Sequence, residues 1–193
     1  RVRLGRKLAK TFQERGLEPD IVIDVPSSAY FFASGLAEEL GVPYRRGLAK
    51  NNHVGRSFIT PKQEERELLV RQKLNPIKGV VQGKKVAVVD DSIVRGTTSR
   101  HLIKLLRDAG ADKVYFVSAS PPIRFPCIYG IDMSIKREII AARYTVEQIE
   151  RYLKADAVVY QTLDDLMELY QDLPCCYACI NGEYPTGASD AFF

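Results

Sequence analysis

Two adjacent acids, Asp90 and Asp91, close the apolar run Lys85-Val86-Ala87-Val88-Val89 and are followed by Ser92-Ile93-Val94-Arg95-Gly96-Thr97-Thr98-Ser99. The run reads as a buried strand. Thr98 to Ala109 reads as a helix, with Leu102, Leu105 and Leu106 on one face and Gly110 as its stop. A strand thus carries two carboxylates to its C-terminal end, and a short hydroxyl-rich loop then enters a helix. Backbone N–H groups at a helix N-terminus favour an anion, and Thr97, Thr98 and Ser99 add donors. Phosphate is the natural guest. The acids would repel it at contact distance, so they suit a different role, accepting hydrogen bonds from a sugar diol and attracting Mg²⁺. A phosphate cradle beside a carboxylate pair points to a phosphorylated ribose. The plainer alternative makes Asp90 and Asp91 turn caps and Thr97 to Ser99 an N-cap cluster. Other nucleotide motifs fail. No G-x-G-x-x-G follows a strand, and the glycines of Gly79 to Lys84 stand too close together and precede their strand.

A second group of reactive side chains is the cysteines, Cys127, Cys175, Cys176 and Cys179, three of them within five residues. Such clustering suits a metal site in a reducing compartment better than a secreted disulfide framework. Cys176-Tyr177-Ala178-Cys179 is a C-x-x-C, open to reading as a zinc half-site, a redox pair or free thiols. It does not open a helix after a strand, which disfavours the redox reading. His53 lies in a polar segment. His101, one turn into its helix, is expected to be exposed, and neither histidine is assigned a catalytic role.

The elements that must position these residues alternate. Leu4, Leu8 and Phe12 recur at helical spacing before Gly16. Ile21 to Val25 reads as a buried strand ending at Pro26, and Ala29 to Leu40 as a helix closed by Gly41. Pro43 to Leu48 is weakly strand-like, Lys50 to Lys62 is polar and aperiodic, and Gln63 to Leu74 reads as a charged helix. Val114 to Ala119 and Ala157 to Tyr160 complete the strands. Thr145 with Gln148 forms a capping box that opens a helix through Leu153, Leu163 to Tyr170 is a last helix, and after Pro174 the chain reads as short and irregular. Continuous apolar strands alternating with helices predict an α/β fold: a doubly wound, mostly parallel sheet covered on both faces, with ligands at the C-terminal ends of its strands.

Composition sets the outer bounds. The chain has 193 residues, 46% hydrophobic and 27% charged, with a net charge of +4. Those values exclude a disordered, collagen-like or coiled-coil chain. No apolar run approaches the roughly 18 residues that cross a bilayer. The mild, dispersed positive charge suits an anionic small ligand at least as well as nucleic acid. The first residue is Arg1, within a helical pattern, which suggests a piece of a longer protein; no signal-peptide core is visible in Arg1 to Gln13.

The segment Val89 to Ser99 resembles the phosphoribosyl-pyrophosphate (PRPP) loop of type I phosphoribosyltransferases. Its Ser-Ile-Val-Arg-Gly-Thr-Thr-Ser form is similar to that of the glutamine PRPP amidotransferase (amidophosphoribosyltransferase) family, iron–sulfur-containing type. Lys50-Asn51 with Val54 to Ile59 is similar to that family's flexible active-site loop. Pro121 to Cys127 with Tyr129 to Asp132 is similar to its segment after the third strand, and Gly182 to Thr186 to its C-terminal end.

The resemblance implies a type I phosphoribosyltransferase fold over residues 1–173 with a lid at about 50–74, then a cysteine-containing tail at 174–193. A glutaminase domain with an N-terminal cysteine would belong to the same full-length protein and is not in this chain. The implied reaction makes 5-phosphoribosylamine and pyrophosphate from PRPP and ammonia, the first step of purine biosynthesis. Asp90, Asp91, Ser92, Ile93, Val94, Arg95, Gly96, Thr97, Thr98 and Ser99 would bind PRPP. Ser28, Asp90 and Asp91 would face Mg²⁺. Lys50 and Arg56 would act as catalytic cations on the leaving pyrophosphate. Cys127, Cys176 and Cys179 would ligate a 4Fe–4S cluster whose fourth cysteine lies outside this chain. Where the family carries an acid this chain has Ser27, and Asn52 and His53 replace an Arg and a Tyr. Purine nucleotides as feedback inhibitors, a homo-oligomer and a cytoplasmic location follow from the same resemblance, with no nucleic-acid or membrane partner. Two other readings stay open: a salvage enzyme adding PRPP to a free purine base, for which no aromatic base-stacking hood is visible, and a non-catalytic PRPP- or nucleotide-sensing module.

Overall fold

The computed structural model describes residues 1–51, 74–133 and 135–187. Helix α1 (Val2–Glu14) leads into β1 (Ile21–Asp24), and α2 (Tyr30–Leu40) follows. Strands β2 (Leu48–Lys50) and β3 (Leu74–Pro76) pair antiparallel as a small separate ribbon. A single turn, α3 (Lys78–Val81), precedes β4 (Lys85–Asp90), α4 (Thr97–Asp108) and β5 (Lys113–Ser118). Two short 3-10 turns, Lys136–Glu138 and Ile140–Ala142, lead to α5 (Val146–Leu153), β6 (Ala157–Tyr160), α6 (Leu163–Leu169) and the one-turn α7 (Ala178–Asn181).

The main sheet is parallel throughout, in the order β1-β4-β5-β6. Tyr44 adds a parallel bridge to Val22 on the outer edge of β1. Both faces are buried because the strands are apolar at nearly every position. Val22, Ala87, Val89, Val117 and Val159 pack against Leu8 and Phe12 of α1 and Ala33 and Leu36 of α2. Ile23, Val86, Val88, Phe116 and Val158 pack under Leu102 and Leu106 of α4 and Ile149 and Leu153 of α5. Helices α1 and α2 cross closely because Gly5 and Gly35 each face the other helix's backbone, at Phe32 and Val2; a Cβ at either would strike it. Lys7 of α1 ties down α6 through Asp165 and Glu168, at 2.9 and 2.8 Å.

The sheet, its doubly wound helices and the capping box of Thr145 and Gln148 match the expectation from sequence. Four details differ. Asp90 is the last residue of β4, so the sheet itself carries it. Leu74, expected to close a helix, instead starts β3 opposite Lys50. The weakly strand-like Pro43 to Leu48 resolves into the Tyr44 bridge and, from Leu48, β2. The tail beyond Pro174, expected to be irregular, winds one turn of helix. The lid expected at 50–74 and the helix expected at 63–74 lie, from 52 to 73, outside the described residues.

Candidate active site

Chain direction reverses between β1 and β4. From β1 the chain passes outward to the Tyr44 edge, and from β4 it passes the other way to β5 and β6. That reversal is the switch point at which open α/β sheets take their ligands, outside the carboxyl ends of the strands. Two loops meet there. One, Val25-Pro26-Ser27-Ser28, leaves β1 and leads to α2. The other, Asp91 to Gly96, leaves β4 and leads to α4. The register holds their roots together: Asp24 lies opposite Val89, and Val25 N–H donates to the Val89 carbonyl at 2.8 Å.

The β4 loop is built into the core. Ile93 is fully buried under the α4–α5 face, and Val94 packs on Ile123, Met133 and Ile139. The Val94 carbonyl accepts from Ile140 N–H at 2.9 Å. The side chains of Ile93 and Val94 are therefore engaged in packing, which leaves only their backbone available to a ligand. Arg95 likewise turns aside. It donates to Glu138 at 2.6 Å, with Asp132 at 4.0 Å. Gly96 immediately precedes α4 as its N-cap at φ +75°, a region costly to any other residue. A Cβ there would also stand 2.9 Å from Ile140 Cδ1.

Helix α4 runs twelve residues and has no side chain capping its N-terminus. Its first-turn N–H groups have no partner inside the helix and, with the macrodipole, present positive potential to the cleft. Ser99 is buried and Thr98 exposed.

The acids sit beside that donor set. Asp91 N–H donates to Asp90 Oδ1 at 2.9 Å, which folds the pair back on itself. Asp91 Oδ1 is buried and accepts no hydrogen bond. Burial pushes the Asp90 carboxyl up to about 7; the Asp91 N–H opposes this and the Asp91 charge adds to it. A buried carboxylate oxygen with no donor is costly alone, and it is suited to a hydroxyl or a hard cation.

Across the cleft, Ser27 and Ser28 are exposed, and the Pro26–Ser27 peptide bond is cis. Arg1 reaches the Ser28 carbonyl at 3.2 Å. Lys50 is exposed at the end of β2. Arg56, Asn52 and His53 lie outside the described residues.

The cysteines form a second locality. Arg124 and Phe125 N–H both donate to the Cys179 carbonyl, at 2.9 and 3.0 Å, and Tyr184 Oη donates to the Pro126 carbonyl at 2.6 Å. The tail thereby docks on the segment after β5, where Cys127 and Cys179 flank a small core of Ile123, Met133 and Ile139. Burial raises the Cys179 thiol pKa, and Cys127 and Cys176 raise it further. All four cysteines are free thiols. Among the described residues, no group of three or more His, Cys, Asp or Glu side chains takes up a metal-holding arrangement. By donor type thiols suit a soft metal, but the described cysteines are not gathered into a site that would hold one.

His101 contradicts its sequence reading. It is buried in the crevice between α4 and α5, because α4 packs on α5 as well as on the sheet and its covered arc is wider than one stripe.

A family model for the phosphoribosyl transferase domain matches residues 2–119. An amidophosphoribosyltransferase of Methanocaldococcus jannaschii is 47% identical over 186 residues, covering 96% of this chain and 39% of that protein. One of Bacillus subtilis is 47% identical over 192 residues, covering 96% and 40%. The solved glutamine PRPP amidotransferase from B. subtilis, complexed with ADP and GMP, superposes with a TM-score of 0.80 at 47% identity, covering 95% of this chain and 41% of that one. The chain thus spans about four-tenths of the length of these relatives.

Proposed function

The chain belongs to the phosphoribosyl transferase domain family, and we propose that it is the transferase part of an amidophosphoribosyltransferase, joining ammonia to PRPP with release of pyrophosphate. One observation carries this reading. At the switch point an uncapped helix N-terminus stands beside a carboxylate pair that holds a buried, unsatisfied oxygen.

In this reading the N–H groups and hydroxyls of Thr97, Thr98 and Ser99 take the 5′-phosphate, with the backbone of Ser92 to Gly96 lining the loop. Asp90 and Asp91 accept from the ribose hydroxyls. Ser28, across the cleft, donates to the pyrophosphate. Lys50, with Arg56 from the lid, brings positive charge to that departing group. The reaction exchanges one C1 bond for another: ammonia forms C1–N as C1–O breaks, and the electron pair leaves on pyrophosphate. Its catalysis is charge placed in advance where charge develops. Mg²⁺, held from Asp90, Asp91 and Ser28, would neutralise pyrophosphate charge as it leaves. The pair fits a hard cation by its unsatisfied oxygen.

Ammonia would come from glutamine through the part of the full-length protein that this chain does not span. A 4Fe–4S cluster on Cys127, Cys176, Cys179 and one outside thiolate would cross-link the tail to the body. Feedback by purine nucleotides, a homo-oligomeric state and a cytoplasmic location accompany the same reading. No helix among the described residues is long and apolar enough to cross a membrane.

The test is anaerobic turnover of PRPP with Mg²⁺ and saturating ammonium at alkaline pH, following phosphoribosylamine, with Asp90→Asn as the control. Ammonia-dependent product that vanishes in the variant is the expected result. Binding of PRPP without product would favour the sensing module, and transfer to hypoxanthine or adenine would favour the salvage enzyme. Anaerobic reconstitution with iron and sulfide, followed by visible absorption, tests the cluster separately; a featureless spectrum from the full-length protein would remove it.

A further inference from the structure

The loop assigned to pyrophosphate exposes Ser27 and Ser28, and neither side chain is anchored in the core. Its shape must come from its ends and from Arg1 on the Ser28 carbonyl, and one residue touches both ends. Tyr44 Oη donates to Asp24 Oδ1 at 2.8 Å. Asp24 is the last residue of β1 and immediately precedes the loop; it is 7% exposed. The Tyr44 ring meets Tyr30 edge-to-face, with centroids 5.3 Å apart. Tyr30 is the first residue of α2, immediately beyond the loop and its buried anchor Ala29.

Tyr44 is itself fixed by the sheet. Val22 N–H donates to the Pro43 carbonyl at 3.1 Å, and Arg45 N–H donates to the Val22 carbonyl at 2.9 Å. Burial and the Asp24 carboxylate raise the hydroxyl's pKa above its ordinary 10.0, so it remains a donor at neutral pH. A buried carboxylate that accepts one hydroxyl is a charge-assisted contact, stronger than a neutral one.

We propose that Tyr44 is a positioning residue for PRPP, clamping the two ends of the Val25–Ala29 loop through Asp24 and Tyr30 so that Ser28 faces the pyrophosphate. It touches no substrate. The inference rests on the assignment of that loop to pyrophosphate.

Two ligands separate positioning from general damage. PRPP uses both loops, whereas ribose 5-phosphate carries no pyrophosphate and uses only the β4 loop. Calorimetric binding in Mg²⁺ is measured for wild type, Tyr44→Phe and Asp24→Asn. Tyr44→Phe keeps the ring against Tyr30 and removes the donor. It is expected to weaken PRPP about 10-fold while leaving ribose 5-phosphate within about twofold. With ammonium as acceptor, KM for PRPP rises and kcat changes little. Asp24→Asn keeps an acceptor and is expected to lose about threefold for PRPP alone; it carries the same measurement should the Phe variant melt early. Equal PRPP affinity in wild type and Tyr44→Phe would overturn the inference, as would equal weakening of both ligands with a lowered thermal midpoint. A wild-type chain that bound PRPP no better than ribose 5-phosphate would overturn the loop assignment itself, and the inference with it.

Discussion

The two loops that meet at the switch point are built on opposite plans. The β4 loop is rooted along its length: Ile93 is in the core, Val94 is in a second small core, Arg95 is paired with Glu138, and Gly96 is wedged against Ile140. The β1 loop is held at its ends and by Arg1 on the Ser28 carbonyl, with the side chains of Ser27 and Ser28 exposed between Asp24 and Ala29. A rooted loop offers backbone N–H groups in one fixed pose, which suits a phosphate that stays in place through the reaction. An end-held loop can follow a group that must depart. Substitutions should therefore separate the two: at the rooted residues Ile93 to Gly96 binding and stability fall together, and in the second loop only binding falls.

The largest effect belongs to the acid pair at the root of the first loop. Asp91→Ala is expected to lower kcat/KM for PRPP by about 10- to 100-fold, because it removes a charged acceptor from the ribose hydroxyls. Its folding stability should hold or rise, since an unsatisfied buried oxygen goes with it. A fall in stability without a fall in turnover would place Asp91 in the scaffold.

The pH dependence follows from Asp90. Its carboxyl titrates near 3.8 when free and near 7 in the fold. The fold thus prefers the protonated acid. That contribution to stability is complete below about pH 4 and is lost as pH rises through 7. Denaturant titrations should show a decline over this window that Asp90→Asn lacks. If Asp90 holds PRPP and Mg²⁺ as proposed, it does so in its ionised form, and the affinity should strengthen over the same window. A pH-independent affinity would break the link between Asp90 and the ligand.

Gly96→Ala tests the rooting directly. Positive φ and the contact with Ile140 together should cost about 2 kcal/mol, read as a lowered denaturation midpoint, with weaker PRPP binding. Gly16→Ala, at φ +61° in open space, bears the backbone strain alone and should cost about 1 kcal/mol. Equal losses at the two sites would show that the wedge against Ile140 contributes nothing. Ser28→Ala is the smallest perturbation. It is expected to raise KM for PRPP about three- to tenfold at an unchanged midpoint, and a shifted midpoint would contradict an end-held loop.

Legibility in the sequence follows the same division. Continuous apolar strands betray the parallel sheet, and a local capping rule places α5 to the residue. The acid pair and hydroxyl run are visible because a strand-loop-helix junction is encoded in consecutive residues. What stays hidden depends on partners far along the chain. Tyr44 gains its role from Asp24, twenty positions earlier, and from Tyr30, and nothing in the spacing signals either contact. His101 reads as exposed because periodicity describes one buried stripe, while α4 lies against two neighbours. Leu74 reads as the end of a charged helix because its antiparallel partner is Lys50, across a long intervening segment. Adjacency groups Ile93 and Val94 with the ligand loop, although their side chains belong to the core.

Because the two loops spring from neighbouring strands in register, the sheet would work as a ruler for a ligand held by both. Strand roots stand about 4.8 Å apart, a pitch set by backbone hydrogen bonds that side-chain changes leave alone. In the proposed reading, the interval between the groups held by the two loops is therefore set by that pitch and by how many residues each loop spends before its helix. Side-chain substitutions can tune how tightly each end of a ligand is gripped. A change in the length of ligand accommodated would require inserting or deleting residues in a loop.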